Sequence, residues 1–474
     1  MAVALLTALA GALRFTNLGL QSLWVDEALT AHVLDPSLPE TFDRLRERES
    51  TPPLYYALTW LWTRVLGEGD VALRSLSALL GTATVPVVYA AGARLASRLT
   101  GVAAAALVAT SPYLIWYSQE ARSYAPAMLL AALSILFLAA ATQPVARRRD
   151  LALWAITCSL LVATHYLSVV LIAAEALWLL RQRGLTRAPL AALAAPVATG
   201  LLLAPLALSQ QSADWISDIS LHNRLDETPR QFVGGYGGAP GSGLGLAAGL
   251  LVAAGLVLLA WRARDDERRG GLLALGIAAT AFAATLLLAL VGLDYVYHRN
   301  LLVAWIPLAI AVASGFAAAR TAGIAATAVL CAVFLTSHFG IVRDSDRHRA
   351  DWESAVGALG RAEQPRPIAI WPTFADTELT HYGVPVVDEP DDSVRAREIV
   401  VIGENLDGAV LAPGRRIGPF EVVERRIGHT VTTAILRARR PHKVELGLIH
   451  RGDTLGAPAF NVLLDPGTGA GGSD

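Results

Sequence analysis

Apolar residues along this chain come in long blocks separated by short polar interruptions. Blocks of about 18 to 22 residues match the length that crosses a ~30 Å hydrocarbon layer at 1.5 Å rise per residue. Eleven spans are expected near residues 1–14, 75–93, 101–117, 124–142, 150–165, 166–181, 188–209, 243–261, 271–292, 300–319 and 321–340. Only His165 and Tyr166 separate the fifth from the sixth. Two segments break the zigzag. Residues 15–74 form a long loop in which Leu38, Phe42 and Leu45 recur at helical spacing, with Arg44, Arg46, Glu47 and Arg48 on the other faces. That is the pattern of a helix lying in the membrane interface. Thr51-Pro52-Pro53 is expected to open a second helix, with Thr51 as N-cap and proline in the first turn. Its Tyr55, Tyr56, Trp60 and Trp62 suit a headgroup zone.

From about residue 342 the charge density rises. Short apolar runs at Pro367–Trp371, Glu398–Ile402 and Phe420–Val423 follow a helix-like stretch, Asp351 to Leu359. We expect a small α/β domain over 342–464, then a flexible Gly-rich tail over 465–474. The membrane domain would be 1–341, including the structured loop 15–74.

Arginine placement orients the spans. Arg94 and Arg98, Arg147 to Arg149, Arg181, Arg183 and Arg187, Arg262, Arg264, Arg268 and Arg269, and Arg320 fall in one set of loops. The alternate set carries Arg122, Arg224, Arg230 and Arg299. The richer set is expected on the cytoplasmic side. With eleven spans the N-terminus then lies inside, while the loop 15–74 and the C-terminal domain are extracytoplasmic. Met1 to Leu13 lacks the basic leader and cleavage site of a signal peptide.

Composition agrees with a multi-pass membrane protein: 54% hydrophobic, 17% charged, net charge −1. A soluble chain would leave much of that apolar surface facing water. Nothing in the charge points to nucleic acid as a partner. Lys443 is the only lysine. Cys158 and Cys331 both lie inside apolar blocks, as packing residues rather than a disulfide or metal site. No phosphate-binding Gly-Lys-Ser/Thr loop, dinucleotide Gly motif or zinc spacing is present, and Gly234 to Gly245 reads as a flexible loop.

Candidate chemistry gathers in the loops of one side. Asp26-Glu27 follows the first apolar block. Asp26 can cap a short helix running to Leu34 with Glu27 favoured by the helix dipole, or the pair can supply a general base. A second cluster runs from Tyr117 through Glu120 and Arg122 to Tyr124. It reads as a polar turn with a snorkelling arginine, or as a group of hydroxyl and phosphate binders. A third, Asp294 to Asn300, holds His298 and Arg299. Here an Asp294–Arg299 ion pair competes with an arginine free to take a phosphate in bidentate fashion. His165 is a fourth polar point. Carboxylate base plus phosphate-binding arginine is equipment for moving a group off a lipid phosphate.

Four motifs then resemble a known family. They are Leu23 to Ala28, Thr51-Pro52-Pro53-Leu54-Tyr55-Tyr56, Ala72 to Gly81, and Ser111-Pro112 through Glu120-Ala121-Arg122-Ser123-Tyr124. In order and spacing over roughly residues 10–140 they resemble the GT-C membrane glycosyltransferases, of the family 39 type that includes protein O-mannosyltransferases and the lipid A aminoarabinose transferase. Thr51 stands where many relatives carry His, so a metal or acceptor contact is not carried over to it. The resemblance implies a GT-C fold and an inverting transferase of the cell envelope. A mannose-like sugar would move from a polyprenyl-phosphate donor to a protein, lipid or glycan acceptor on the outer face, among membrane lipids. It implies Asp26 as base with Glu27 in support. Glu120, Arg122, Tyr124, His298, Arg299, Tyr55, Tyr56 and His165 become substrate-binding candidates. A divalent metal is used by only some such enzymes, so none is assigned. The rival class is a transporter or flippase for a lipid-linked or small solute, which would carry mid-span ionisable residues and paired repeats. Glu175 is the main ionisable residue well inside a span, and no repeat is visible.

Overall fold

The computed structural model describes residues 1–34, 37–143, 145–210, 215–239, 241–384, 393–404, 406, 411–428, 430–446, 449 and 460–467. The chain divides into two compact units. One comprises Met1–Leu18 and Val33–Asp344, the other Gly19–His32 and Ser345–Asp474. The Gly-rich end beyond 467 lies outside the described residues.

All eleven apolar segments are helical. They are α1 (Ala2–Phe15), α5 (Asp70–Leu95), α6 and α7 (Arg98–Thr110 and Pro112–Ser118), α8 (Tyr124–Ala141), α9 (Arg148–Val162), α10 (Val169–Arg183), α11 (Arg187–Ser209), α14 (Ser242–Trp261), α15 (Asp265–Leu290), α16 (Trp305–Ala318) and α17 (Arg320–Arg343). Among the described residues seven are long and apolar enough to cross a membrane, and α6–α7 makes an eighth if taken as one bent span. The remaining α1, α9 and α10 have 14, 15 and 15 residues, below the length a straight span needs. Between the apolar helices stand α3 (Leu38–Arg48), α4 (Leu54–Leu66), α12 (Trp215–Asp218) and α13 (Leu221–Gly234).

Two devices set the shape of the helical unit. Helix α16 is buried almost throughout, and small residues let its neighbours approach. A Cβ added at Gly315 would stand 1.8 Å from the Gly255 carbonyl oxygen of α14, the close packing that small residues allow between membrane helices. Between α6 and α7 the chain bends by 61°. Pro112 has no N–H to continue the helix, and the Ser111 hydroxyl accepts from Leu114 N at 3.3 Å to start the next one. The bend leaves carbonyls at the end of α6. Arg14, at the C-terminal end of α1 and only 1% exposed, donates Nη2 to Val108 O at 3.0 Å and Nη1 to Ala109 O at 3.1 Å. A buried cation thus satisfies the negative end of a broken helix. Its Nε donates to the Ser118 hydroxyl at 3.2 Å. In return, Gln119 Nε2 caps α1 by donating to the carbonyls of Leu13, Arg14 and Thr16. The turn that carries Glu120 and Arg122 is therefore tied to α1 on both sides.

The amphipathic helix read from Leu38, Phe42 and Leu45 is α3, opened by Ser37. The Thr51 cap is not: α4 starts at Leu54, with Pro53 in the cap position. Of the two backbone donors such a cap would serve, Pro53 has no N–H and Leu54 N donates instead to Ala163 O at 3.0 Å. Thr51 instead donates from Oγ1 to Glu49 Oε2 and the Tyr56 hydroxyl, both at 3.4 Å. Cys158 and Cys331 are free thiols.

The second unit is a six-stranded mixed sheet, β1 (Arg366–Trp371), β2 (Ser393–Glu404), β3 (Arg416–Ile417), β4 (Phe420–Ile427), β5 (Val431–Glu445) and β6 (Asn461–Asp465), in the order β3-β4-β5-β2-β1-β6. Among the described residues, only β1 and β2 run parallel. Alternation sends Ile368, Ile370, Val400 and Ile402 to one core and Ala369, Val401, Ala434 and Leu436 to the other. Trp352 of α18 (Trp352–Gly357) and Leu379 of α19 (Asp376–His381) cover the first face. Buried Arg366 binds Asp465 at 3.0 Å and Glu398 at 2.9 Å, fixing β1 to its neighbours. Gly19–His32 belongs here through side chains: Glu353 N donates to Ser22 Oγ at 3.1 Å, Ser22 Oγ to Asp351 Oδ1 at 3.1 Å, Arg349 N to Gln21 Oε1 at 2.7 Å, and Leu23 N to the Tyr382 hydroxyl at 2.6 Å.

Candidate active site

Asp26 and Glu27 sit in the first turn of α2 (Val25–Val33). Asp26 is therefore one residue inside the helix rather than at its cap. The backbone N–H groups of Glu27 and Ala28 both donate to Trp24 O at 2.9 Å. Asp26 is half-buried and Glu27 only 1% exposed. The helix N-terminus favours both negative charges. The sequence reading missed what the second unit places around Asp26. Arg349 lies 3.8 Å over the Trp24 ring. Glu378, 2% exposed, has its carboxyl pushed up to about 8, chiefly by burial and then by the charges of Asp376, Glu404 and Asp26. Burial likewise raises Glu404, opposed by Arg349. No motif marked Glu378, because its burial depends on a sheet assembled from distant segments.

The other candidates lie in the helical unit and fall into two groups. Arg122 anchors the first. Its guanidinium forks onto Glu49, Nη1 to Oε1 and Nη2 to Oε2 at 3.2 Å, and Nη1 also donates to the Tyr56 hydroxyl at 3.0 Å. Glu49 and Arg122 have 2% and 6% of their surfaces exposed. Gln210 Nε2 donates to Thr51 O at 3.0 Å while its Oε1 accepts from the Tyr166 hydroxyl at 3.0 Å. Tyr55 packs edge-on to Tyr56, ring centres 5.4 Å apart. His165 is buried beside Tyr166 in sequence, and its Nδ1 has no hydrogen-bond partner among the described residues. Arg122, expected as a phosphate ligand or a snorkelling surface residue, is thus a buried, carboxylate-paired cation.

The second group is aromatic. Tyr117 is its hub, 4.9 Å from the Tyr124 ring and with its hydroxyl 3.1 Å from His298 Nδ1. Tyr113 donates to His298 O at 2.7 Å. Glu227 Oε1 lies 3.8 Å from His298 Nε2. Trp116 stacks on Tyr236 at 4.4 Å and donates Nε1 to Glu120 Oε1 at 2.8 Å. Arg299 sits over the rings of Trp215 and Tyr297, 5.0 and 5.6 Å from their centres. Its expected partner Asp294 is held elsewhere: Arg224 of α13 takes both its oxygens at 2.7 Å and keeps its carboxyl below the usual range. So Glu120, Tyr124, His298 and Arg299 come together, and Glu49, Gln210, Arg224 and Glu227 are additions the sequence reading missed. Glu175 in α10 accepts from Ser134 Oγ at 2.8 Å and Trp154 Nε1 at 2.7 Å, so both oxygens brace neighbouring helices.

Chemically, the helical unit offers Arg299 over two aromatic faces, with Arg122 and Arg224 held by carboxylates, and these are the groups that hold a phosphate and a polyhydroxylated ring. Among the described residues no group of three or more His, Cys, Asp or Glu side chains is arranged to hold a metal ion.

Residues 50–207 match the family model of the dolichyl-phosphate-mannose-protein mannosyltransferases. No curated protein matches the chain in sequence. The fold is similar to that of ArnT from Cupriavidus metallidurans. Bound to undecaprenyl phosphate, that protein is 14% identical, with 91% of this chain and 97% of that one covered at a TM-score of 0.54. Its apo state gives 15% identity, the same coverage and 0.55. The Archaeoglobus fulgidus oligosaccharyltransferase with zinc and sulfate is 11% identical over 81% of this chain and 61% of that one, with a TM-score of 0.49.

Proposed function

We propose that this chain, a family 39-like protein of GT-C fold, is a membrane glycosyltransferase that takes a sugar from a polyprenyl-phosphate donor. The observation that carries the reading is the joint match. The mannosyltransferase family model covers residues 50–207, and the fold match to ArnT bound to undecaprenyl phosphate extends over 91% of the chain. The matched segment contains Tyr55, Tyr56, Glu120, Arg122, Tyr124 and His165, six of the ten candidates read from sequence, while Asp26, Glu27, His298 and Arg299 lie outside it.

In the proposed reaction, Asp26 removes the proton of the acceptor hydroxyl as that oxygen attacks the anomeric carbon. The polyprenyl phosphate leaves from the opposite face, so the configuration inverts. The leaving group is already an anion and needs cationic stabilisation rather than a second carboxyl acid. Arg299 supplies that charge. Arg122 is paired with Glu49 and Tyr56, so it serves the site by holding the loop Glu120–Tyr124 against the start of α4. Glu27 supports Asp26. A mannose-like sugar is the expected cargo, with the chemistry on the extracytoplasmic side. The test is release of free polyprenyl phosphate by purified protein from a polyprenyl-phosphate sugar in the presence of acceptor extract. Movement of a solute across vesicles without a lipid donor, and no such release, would establish the transporter class instead.

A further inference from the structure

The net charge of the chain is near zero, yet one end of the sheet is strongly basic. Strand β2 begins Ser-Val-Arg-Ala-Arg and β5 continues Arg-Ala-Arg-Arg-Pro-His-Lys over Arg437–Lys443, with no acidic residue in either stretch. The register sets Arg395 directly opposite Lys443. Between the pairs Ala396–His442 and Glu398–Arg437, one residue of β2 faces four of β5. That bulge turns out Arg439 and Arg440, next to Arg397. All five cations are exposed, while Val444 and Ala396 beside them are buried in the core. Of the carboxylates flanking the patch, Glu398 is already bonded to Arg366 and Arg437, and Glu445 stands opposite Ser393 at the end of the pairing.

Like charges directly across a strand pair destabilise the sheet. Nothing in the fold requires Arg395 opposite Lys443, since the core of this face is supplied by the alternate residues. We infer that Arg395, Arg397, Arg439, Arg440 and Lys443 form a docking surface for the anionic headgroups of a lipid bilayer. Lipid is favoured over a soluble polyanion because this sheet follows the membrane helices on one chain: α17 ends at Arg343 and β2 begins at Ser393. The tether keeps the local concentration of headgroups high whatever the affinity of each contact. Every cation near an anionic surface strengthens binding about fivefold at low salt, and the effect fades beyond a Debye length. The acidic run 388–392 before β2 lies outside the described residues.

Because Lys443 is the only lysine, amine acylation reports on this surface at a single side chain. The full chain would be placed in nanodiscs of phosphatidylcholine, or of phosphatidylcholine and phosphatidylglycerol in equal parts, and Lys443 acylation followed by mass spectrometry. The expected result is slower labelling in the anionic discs, returning to the neutral-disc rate in high salt. The double variant Arg439→Gln/Arg440→Gln should weaken headgroup binding about 25-fold and lose most of the protection. Equal rates in the two discs, or slowing that survives both salt and the double substitution, overturn the proposal. Protection by a soluble anionic glycan but not by anionic discs overturns the lipid assignment.

Discussion

Glu49→Ala is the perturbation whose cost follows most directly from the geometry. It removes the carboxylate onto which the Arg122 guanidinium forks and leaves the neutral Tyr56 hydroxyl beside that cation in place of a counter-charge. Both members of the pair are buried. Breaking a buried pair from one side costs about 3–5 kcal/mol, because the surviving charge is uncompensated. Exchanging both members for apolar residues of similar size is close to neutral. The structure therefore predicts a non-additive cycle: Glu49→Ala and Arg122→Met each lose roughly 3 kcal/mol or more, whereas Glu49→Leu/Arg122→Met loses about 1 or less. The assay is denaturant unfolding of the detergent-purified chain, followed by tryptophan fluorescence. Glu49→Ala within about 0.5 kcal/mol of wild type would show that the pair carries the weight only of an exposed bridge. A double variant as unstable as the sum of the singles would refute the argument equally.

Two further outcomes follow from buried charges. Arg14→Met strips the end of α6 of two carbonyl partners at the 61° bend, so about 1–3 kcal/mol should be lost per orphaned group in the same unfolding assay. Glu378 is raised from its ordinary value to about 8, so the folded unit holds its proton more tightly than the unfolded chain does. Its contribution is full below about pH 4.5 and is lost as pH rises toward 8. Glu378→Gln should therefore gain stability relative to wild type between pH 5 and pH 8, as measured by unfolding at both. Parallel changes in the two proteins would contradict this.

How much was legible depended on the range of the interaction. Lipid imposes its demand locally, so each apolar block translated into a helix, with ends that differ by up to about six residues. The amphipathic α3 was equally readable, from three residues. The Thr51 cap failed for a local reason, since Pro53 has no N–H to offer and the hydroxyl turns to Glu49. Long-range pairings were not readable. Glu49 and Arg122 are 73 residues apart, and Asp294 found Arg224, 70 residues away, rather than Arg299 five residues on. Strand β5 was missed because its second half is mostly cations, which read as a charged loop until β2 pairs with it. For the site, motif order pointed to Asp26 and the arginines, while the carboxyls around Asp26 are known only once the sheet is built.

The central claim, a sugar-transferring enzyme with Asp26 as base, is tested most directly by mass spectrometry of lipid co-purified with wild type and with Asp26→Asn. Loss of a general base slows transfer by about 10²–10⁴-fold while leaving the donor-binding groups in place. The account predicts a polyprenyl-phosphate sugar retained on Asp26→Asn, with free polyprenyl phosphate on wild type. Wild-type rates of transfer in Asp26→Asn, or identical lipid on both proteins with no sugar attached, would contradict it.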